Sequence, residues 1–332
     1  MLETIWFLLW GILWAVYFMV GGFDLGVGIL TPLLGRTDAE KRDILASIGP
    51  FWDGNEVWLI TAGGVTFAAF PAAYATLFSA LYTPLMVVLF ALIIRAVSIE
   101  LRDRREGAAW RALFTTGVFI GSLLPAILFG VAFANIFKGI PIDGEGVFHG
   151  NLVTLLNPYG LAGGLFFLVL FTTHGSLWIA NRTEGGVREK AARTALFLWP
   201  ILTLLAVLFL LLSAISTRLW DTYATSRLLF VIPLVAVLAL FSMRFLIQRS
   251  RWGGALLASF AVILFSVLFG VVGLYPDLLP STLNPAFSLS IHNAASSPRT
   301  LTVMLVVALI FVPLVILYQG WVYRFFLRED RT

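Results

Sequence analysis

The sequence predicts an all-α, polytopic membrane protein with nine transmembrane helices, its N-terminus outside and its C-terminus cytoplasmic. Three observations lead there. Of 332 residues, 60% are hydrophobic and 12% are charged, whereas a soluble globular chain carries about 25% charged residues. Too few charges are present to cover a water-exposed surface, so lipid must cover it. Nine stretches approach the roughly 20 apolar residues that a spanning helix needs. Lys and Arg, finally, concentrate on alternate connections. The same composition excludes several classes. Disorder is incompatible with this hydrophobicity. The chain has no Cys, which removes a disulfide scaffold, a Cys-ligated zinc site, an iron–sulfur cluster and a thiol nucleophile.

The spans follow in order. Met1-Leu2-Glu3-Thr4 carries an acid and no base, unlike the basic start of a secretory signal, so the stretch from Ile5 is read as a retained span. The nine stretches are about 5–34, 50–70, 76–96, 112–137, 158–180, 194–215, 226–247, 253–275 and 300–323. The first is long enough to tilt, or to bend at its glycines. The longest connections, about 138–157 and 276–299, are short and rich in Gly, Pro, Ser and Asn. Residues 1–332 are therefore read as a single membrane-embedded subunit, two helical bundles plus one additional helix, without a soluble domain. Leu156-Asn157-Pro158 and Leu283-Asn284-Pro285 precede the fifth and ninth spans; this is too little for an internal repeat and reads as a shared turn that starts a helix.

Orientation comes from the 22 basic residues. Eighteen fall on one side: Arg36, Lys41 and Arg42; Arg95, Arg102, Arg104, Arg105 and Arg111; Arg182, Arg188, Lys190 and Arg193; Arg244, Arg249 and Arg251; and Arg324, Arg328 and Arg331. Four fall on the other: Lys138, Arg218, Arg227 and Arg299. By the positive-inside rule the first side is cytoplasmic. The net charge of +4 then reports topology, and a nucleic-acid partner is not expected.

Ionisable groups within a bilayer cost about 2.5–3.5 kcal/mol each on insertion scales, so each needs a reason. Asp24 lies nineteen residues past Ile5, about 28 Å along a helix at 1.5 Å per residue, toward the cytoplasmic side. It is flanked by Gly22 and Gly26, a small-xxx-small pair that permits close approach of a neighbouring helix. Asp24 reads either as a protonatable relay group or as an acid hydrogen-bonded across a packing seam. The second span opens with Asp53 and Glu56, three apart and hence on one helix face, near the depth of Asp24. Three carboxylates at one level suit a group that takes up and passes on protons; the structural alternative is complementation of the helix dipole. Arg95 ends the third span at that level, followed by Glu100 and Arg102. Arg95 is expected to pair with Asp53 or Glu56, or to snorkel to the headgroups.

The remaining polar inventory is thin. Of three His, His174 alone lies in a span, a poor supply of axial haem ligands, and it reads as a helix–helix hydrogen-bonding group. Trp6, Trp10 and Trp14 recur every four residues, an aromatic belt or partner-facing stripe. The Gly-rich segment around Asp24 follows no strand and is no dinucleotide fingerprint. No metal site, nucleophile–base pair or phosphate loop is expected.

Gly22-Phe23-Asp24-Leu25-Gly26-Val27-Gly28 and the specific run Trp52-Asp53-Gly54-Asn55-Glu56-Val57-Trp58-Leu59-Ile60-Thr61-Ala62-Gly63-Gly64 resemble subunit II of cytochrome bd-type quinol oxidases. The resemblance continues through Arg95–Arg102, Phe119–Pro125, Leu155–Gly160, Tyr275-Pro276 and Ser290–Ser297, and covers nearly the whole chain. It implies a nine-helix subunit of a complex that oxidises a membrane quinol and reduces O2 to water. It implies a haem-bearing subunit I carrying two haems b, one haem d and the quinol site. This chain would bind no catalytic cofactor itself, with a structural quinone in some members. Partners would be subunit I, a small single-helix accessory subunit, lipid and quinone, in a bacterial or archaeal cytoplasmic membrane. Asp53 matches the family's proton-path acid and Asp24 its first-span acid. Many members carry an acid where this chain has Gly21; a relay through it would be missing or replaced, with Glu56 as the substitute. The expected role is thus support of subunit I and a cytoplasmic proton path. The rival readings are a proton-coupled secondary transporter, which would require inverted repeats with paired broken helices, and a purely structural scaffold within the oxidase.

Overall fold

The computed structural model describes residues 1–329, with side chains described through residue 326; Arg328 and Arg331 of the expected basic tail lie outside that description. The helices are α1 Leu2–Leu34, α2 Asp38–Ala46, α3 Trp52–Ala69, α4 Pro71–Ala80, α5 Tyr82–Leu101, α6 Ala108–Lys138, α7 Leu152–Leu155, α8 Pro158–Arg182, α9 Gly185–Ser216, α10 Leu219–Thr225, α11 Val231–Gln248, α12 Trp252–Leu274 and α13 Pro298–Glu329. Among the described residues, eight helical segments are long and apolar enough to cross a membrane: α1, α5, α6, α8, α9, α11 with its leading 3₁₀ turn, α12 and α13. The chain is an all-α polytopic membrane protein.

The second predicted span is a helix, α3, yet it is not among those eight. Its 18 residues include Asp53, Asn55 and Glu56 as well as three glycines, which lower its hydropathy. The third span is displaced from its expected place. Pro71 occupies the first turn of the separate helix α4, the chain breaks at Leu81, and α5 continues to Leu101. Pro84 sits in the first turn of α5, where a missing N–H breaks no ladder bond. Of the two Asn-Pro turns, Asn157 caps α8 with Pro158 at its start. Asn284 instead caps a three-residue 3₁₀ turn, well before α13.

Packing centres on α1. It contacts α3, α6, α8 and α12; α6 also joins α5 and α8, α8 joins α9, and α11 pairs with α12. Small residues set the approach. A Cβ on Gly26 would collide with the carbonyl oxygen of Phe171 on α8, and a Cβ on Gly22 would lie 2.8 Å from the Phe171 ring. Gly121 and Gly117 make the same kind of seam between α6 and α5, against Ala91, Arg95 and Ser98. Beside the α1–α8 seam, Phe23 stacks on Trp178 at 3.9 Å between ring centroids.

The Trp stripe of α1 is neither a belt nor a partner-facing surface. Trp6 and Trp10 are 2% and 1% exposed. Their indole N–H groups donate to the Leu301 carbonyl of α13 and to the Thr66 hydroxyl of α3. Because α1 is central, a period-four stripe on it points inward; Trp14, half-buried, has no hydrogen-bond partner for its indole N–H among the described residues. At the end of the bundle away from α2, the loops before α8 and α13 join. A two-stranded antiparallel ribbon pairs Asp277–Leu279 with Leu289–Ser290, Ile140 bridges Ser281, and the Ser281 hydroxyl donates to the Ile142 carbonyl. In contrast to this layered interior, only 6% of the apolar window of α13 is buried, against 78% for α8.

A methyl group added at Gly26 should force α1 and α8 apart. Gly26→Ala is expected to lower stability by about 1–3 kcal/mol, the usual cost of overpacking, read as a lower midpoint of thermal unfolding of the solubilised protein. Gly63→Ala, where a Cβ meets nothing within 4 Å, serves as the control and should leave the midpoint in place.

Candidate functional site

The three acids singled out in the sequence occupy three levels of exposure. Asp53, in the first turn of α3, is exposed, and its Oδ1 accepts the Gly54 backbone N–H at 2.7 Å. Glu56, one turn further in, is 24% exposed and pairs through Oε1 with Nη1 of Arg95 at 2.6 Å. Asp24 on α1 is fully buried. Its Oδ2 accepts a hydrogen bond from Nδ2 of Asn55 on α3 at 2.8 Å. Its Oδ1 has no partner among the described residues.

Arg95 reaches Glu56 rather than Asp53 or the headgroup region, and is 1% exposed. Its guanidinium also lies 5.8 Å from the centroid of the Trp52 ring, within cation–π range. Its Nε and Nη2, together with the Ser122 hydroxyl on α6, have no hydrogen-bond partner among the described residues. Glu100 is exposed and makes no ion pair among the described residues, so it does not join the cluster. Arg102, a supporting ion-pair residue by sequence, makes an ion pair with Asp38 on α2. At Gly21, a Cβ would come within 2.7 Å of the Tyr17 ring; the aromatic ring covers the place where a side chain would stand.

Three residues that sequence reasoning did not single out complete the site. Tyr323 on α13 donates from its hydroxyl to Oδ1 of Asn55 at 2.7 Å, with its ring stacked on Phe51 at 4.5 Å between centroids. Gln319, one turn earlier, accepts from the Trp58 indole at 2.8 Å and donates to the Gly54 carbonyl at 2.9 Å. Gln319 and Tyr323 are an i, i+4 polar pair just past the long apolar stretch of α13, and that spacing was the available signal. Asn55 was visible only as a polar residue between the two acids of α3.

The family model of cytochrome bd terminal oxidase subunit II matches residues 2–326. The chain belongs to that family. Cytochrome bd ubiquinol oxidase subunit 2 of Bacillus subtilis is 35% identical over 327 residues, covering 98% of this chain and 96% of that protein. Cytochrome bd-I ubiquinol oxidase subunit 2 of Escherichia coli is 34% identical over 358 residues, covering 97% and 93%. The solved bd oxidase of Geobacillus thermodenitrificans superposes with a TM-score of 0.81 at 17% identity, over 98% of both chains, and so shares the fold. Subunit II of a terminal oxidase implies a partner subunit I and a haem-containing complex.

Within this subunit II chain, His174 does not offer itself as an axial ligand. Its Nε2 donates to the Met19 carbonyl at 2.8 Å and its Nδ1 contacts the Ser259 hydroxyl at 2.7 Å. The side chain links α8 to α1 and α12, and coordinating a metal would require breaking one of those bonds.

Helix α2 is an ionic strap over the basic end of the subunit. Thr37 and Glu40 form a capping box at its start, and Glu40 also takes Nζ of Lys190 on α9 at 2.7 Å. Asp38 takes Arg102 and Arg111, each at 3.2 Å, and Arg102 reaches Asp103 at 2.7 Å and the Thr115 hydroxyl at 3.0 Å. The Lys190 ammonium and the backbone N–H groups of Arg36 and Thr37 push the Glu40 carboxyl down to about 2. Hydrogen bonding to Arg111 is the main cause holding Asp38 below the usual range.

Two outcomes follow from these geometries. Glu56→Gln leaves the Arg95 guanidinium buried without a counter-charge. Stripping one partner from a buried pair costs about 3–5 kcal/mol, and here the low end applies because Glu56 is partly exposed; the loss is read as a reduced thermal midpoint, with most of it restored in Glu56→Gln, Arg95→Met. For the strap, the folded Glu40 titrates below its ordinary value. Its stabilising tie to Lys190 is thus complete above about pH 4.5 and is lost as pH falls toward about 2. Amide hydrogen exchange in α2 should rise through that window in the native protein, and Glu40→Gln should remove this acid-dependent component.

Proposed function

We propose that this chain is the haem-free subunit II of an oxidase complex that oxidises quinol and reduces O2 to water, and that it supplies a proton path from the cytoplasm. The observation that carries the path is the graded burial of its carboxylates: Asp53 exposed, Glu56 24% exposed, Asp24 fully buried. The path begins at Asp53, open to water at the basic end, passes Glu56 and reaches Asp24 on the central helix. A proton taken by Asp53 from bulk water moves inward, and Asp24 passes it toward subunit I. The unpartnered polar atoms of Asp24, Arg95 and Ser122 support water as the bridging carrier. Leaving a buried polar atom unmet costs about 1–3 kcal/mol, and buried water typically meets such groups with two to four hydrogen bonds.

The wider reading is as follows. Counting α3 with the eight apolar helices makes nine spans. The asymmetry of Lys and Arg puts the α2 end in the cytoplasm and the N-terminus outside, in a bacterial or archaeal cytoplasmic membrane. The chain is one membrane-embedded unit: α1, α3, α5 and α6 form one bundle, α8, α9, α11 and α12 the other, and α13 is the additional helix. The haem-bearing subunit I, with two haems b and one haem d, and a small single-helix accessory subunit complete the assembly. Exposed apolar side chains such as Ile60, Phe90, Ile93 and Trp321 suit lipid and these partners. An apolar cleft of about 70 Å³ beside Phe133, Phe137, Phe166, Phe167 and Phe209 suits the isoprenoid chain of a structural quinone.

Asp53→Asn in the assembled complex should slow oxygen consumption about a hundredfold, the lower range for loss of a positioned proton carrier. The reduced-minus-oxidised haem spectrum should be unchanged. Undiminished turnover would sink the path, and disappearance of the haem signal would make the acids structural.

A further inference from the structure

The proton path names Asp24, but a carboxylate has two oxygens, and here they differ. Oδ2 is held by Asn55 at 2.8 Å. Asn55 is 1% exposed and is itself held by the Tyr323 hydroxyl at 2.7 Å. The Tyr323 ring is fixed in turn by its stack on Phe51. Hydrogen-bond direction follows from the inventory of donors. The amide NH2 is the group that can donate to a carboxylate, so the amide oxygen must face outward, and the phenol is the donor that meets it. Tyr323 thereby sets the orientation of Asn55, and Asn55 sets the rotamer of Asp24. Oδ1, buried and without a partner among the described residues, is the oxygen left over.

We infer that Asn55 and Tyr323 form a positioning clamp that immobilises Oδ2 of Asp24 and presents Oδ1 as the atom that gains and loses the proton. This rests on the reading of Asp24 as a proton carrier, and extends it to two residues on α3 and α13. Protonation at Oδ1 needs no rearrangement of the clamp: a neutral carboxyl still accepts from Asn55 through Oδ2. One proton enters on Oδ1 and the same proton leaves from it. The charges acting on Asp24 come from Arg95 on α5 and from Glu56 and Asp53 on α3. Tyr17 lies two turns earlier on α1, and His174 on α8 bonds the Met19 carbonyl; neither makes a hydrogen bond to Asp24 among the described residues.

The clamp also gives α13 a role. This helix is the least buried of the apolar eight, and two of its polar side chains reach α3. Gln319 bonds Gly54 and Trp58, which docks the helix. Tyr323 bonds Asn55, which touches Asp24. Docking and positioning are therefore separable by mutation.

The test uses the assembled oxidase in membranes. The infrared stretching band of the Asp24 carboxyl group is assigned with isotope-labelled aspartate and by its loss in Asp24→Asn. Tyr323→Phe, which removes one hydroxyl and keeps the ring stack, should shift that band and lower oxygen consumption about threefold to tenfold, the worth of one hydrogen bond. Gln319→Met, which loosens α13 without touching Asn55, should leave the band in place. An unshifted band in Tyr323→Phe overturns the clamp, as does an equal shift in Gln319→Met, which would reduce Tyr323 to a docking residue. A shifted band in Tyr323→Phe with undiminished turnover in Asp24→Asn upholds the clamp and removes the proton path instead.

Discussion

The close approach of α1 to α8 is the constraint on which the remaining geometry depends. Gly22 and Gly26 stand one turn apart on one face of α1; the Phe171 ring of α8 lies where a Gly22 side chain would be, and the α8 backbone at Phe171 and Gly175 fills the place of one at Gly26. At 100° per residue, Asp24 lies two residues from either glycine and hence about 200° round the helix. A helix that presents Gly22 and Gly26 to α8 must present Asp24 to the opposite side. That side is covered by α3, which supplies Asn55. The burial of the carboxylate and the tightness of the seam are thus one decision made by a two-residue spacing. The Phe23–Trp178 stack and the bond from His174 to the Met19 carbonyl then fix how α8 is rotated against α1.

Charge is distributed in two layers that do different work. The strap of α2 lies outside the apolar interior, and its acids are paired with Lys190, Arg102 and Arg111. Partly exposed pairs of this kind contribute little each; their use is geometric, since they tie the ends of α1, α5, α6 and α9 to one short helix. The Arg95–Glu56 pair lies deeper, where desolvation is expensive and a lost partner is costly. It neutralises Glu56 electrostatically while Asp53, one turn outward, faces water. A chain of acids with no counter-charge would be hard to fold into lipid. The observed mixture places one paired acid, Glu56, between two unpaired ones, so that Arg95 supplies a counter-charge in the middle of the three.

Legibility in the sequence tracked how local each cause is. Eight helices were readable in place, though α9 begins nine residues before its expected start and α13 runs six past its expected end, because length and hydropathy are properties of a segment. The third span was misplaced because Pro71 and Pro84 divide a continuous apolar stretch, and hydropathy does not register a break. The Trp6, Trp10 and Trp14 spacing was correct as a stripe and misjudged as a surface, since periodicity tells which residues share a face and not which way that face turns. The acids were found as intramembrane charge. Their partners were found unevenly: Arg95 stood out as a buried cation, whereas Asn55 and Tyr323 are neutral and cost too little to be conspicuous. The α2 partner of Arg102 was not legible, because Asp38 is sixty-four positions away in the chain and is brought near by the turn between α1 and α2.

Hydropathy leaves α3 outside the eight apolar helices, and α3 is the helix that carries the polar groups; the two facts have a common cause. Helix α3 carries Asp53, Asn55 and Glu56 in place of apolar side chains near its start, and Gly54, Gly63 and Gly64, where a Cβ would meet nothing within 4 Å. Each replacement lowers the hydropathy that would identify the helix as membrane-spanning. Such a helix cannot be held in lipid by its own composition and has to be held by its neighbours. Here α1 does so through the Asp24–Asn55 and Trp10–Thr66 bonds, and α13 through Gln319 and Tyr323. The polar groups that make α3 marginal as a span are the same groups by which its neighbours grip it.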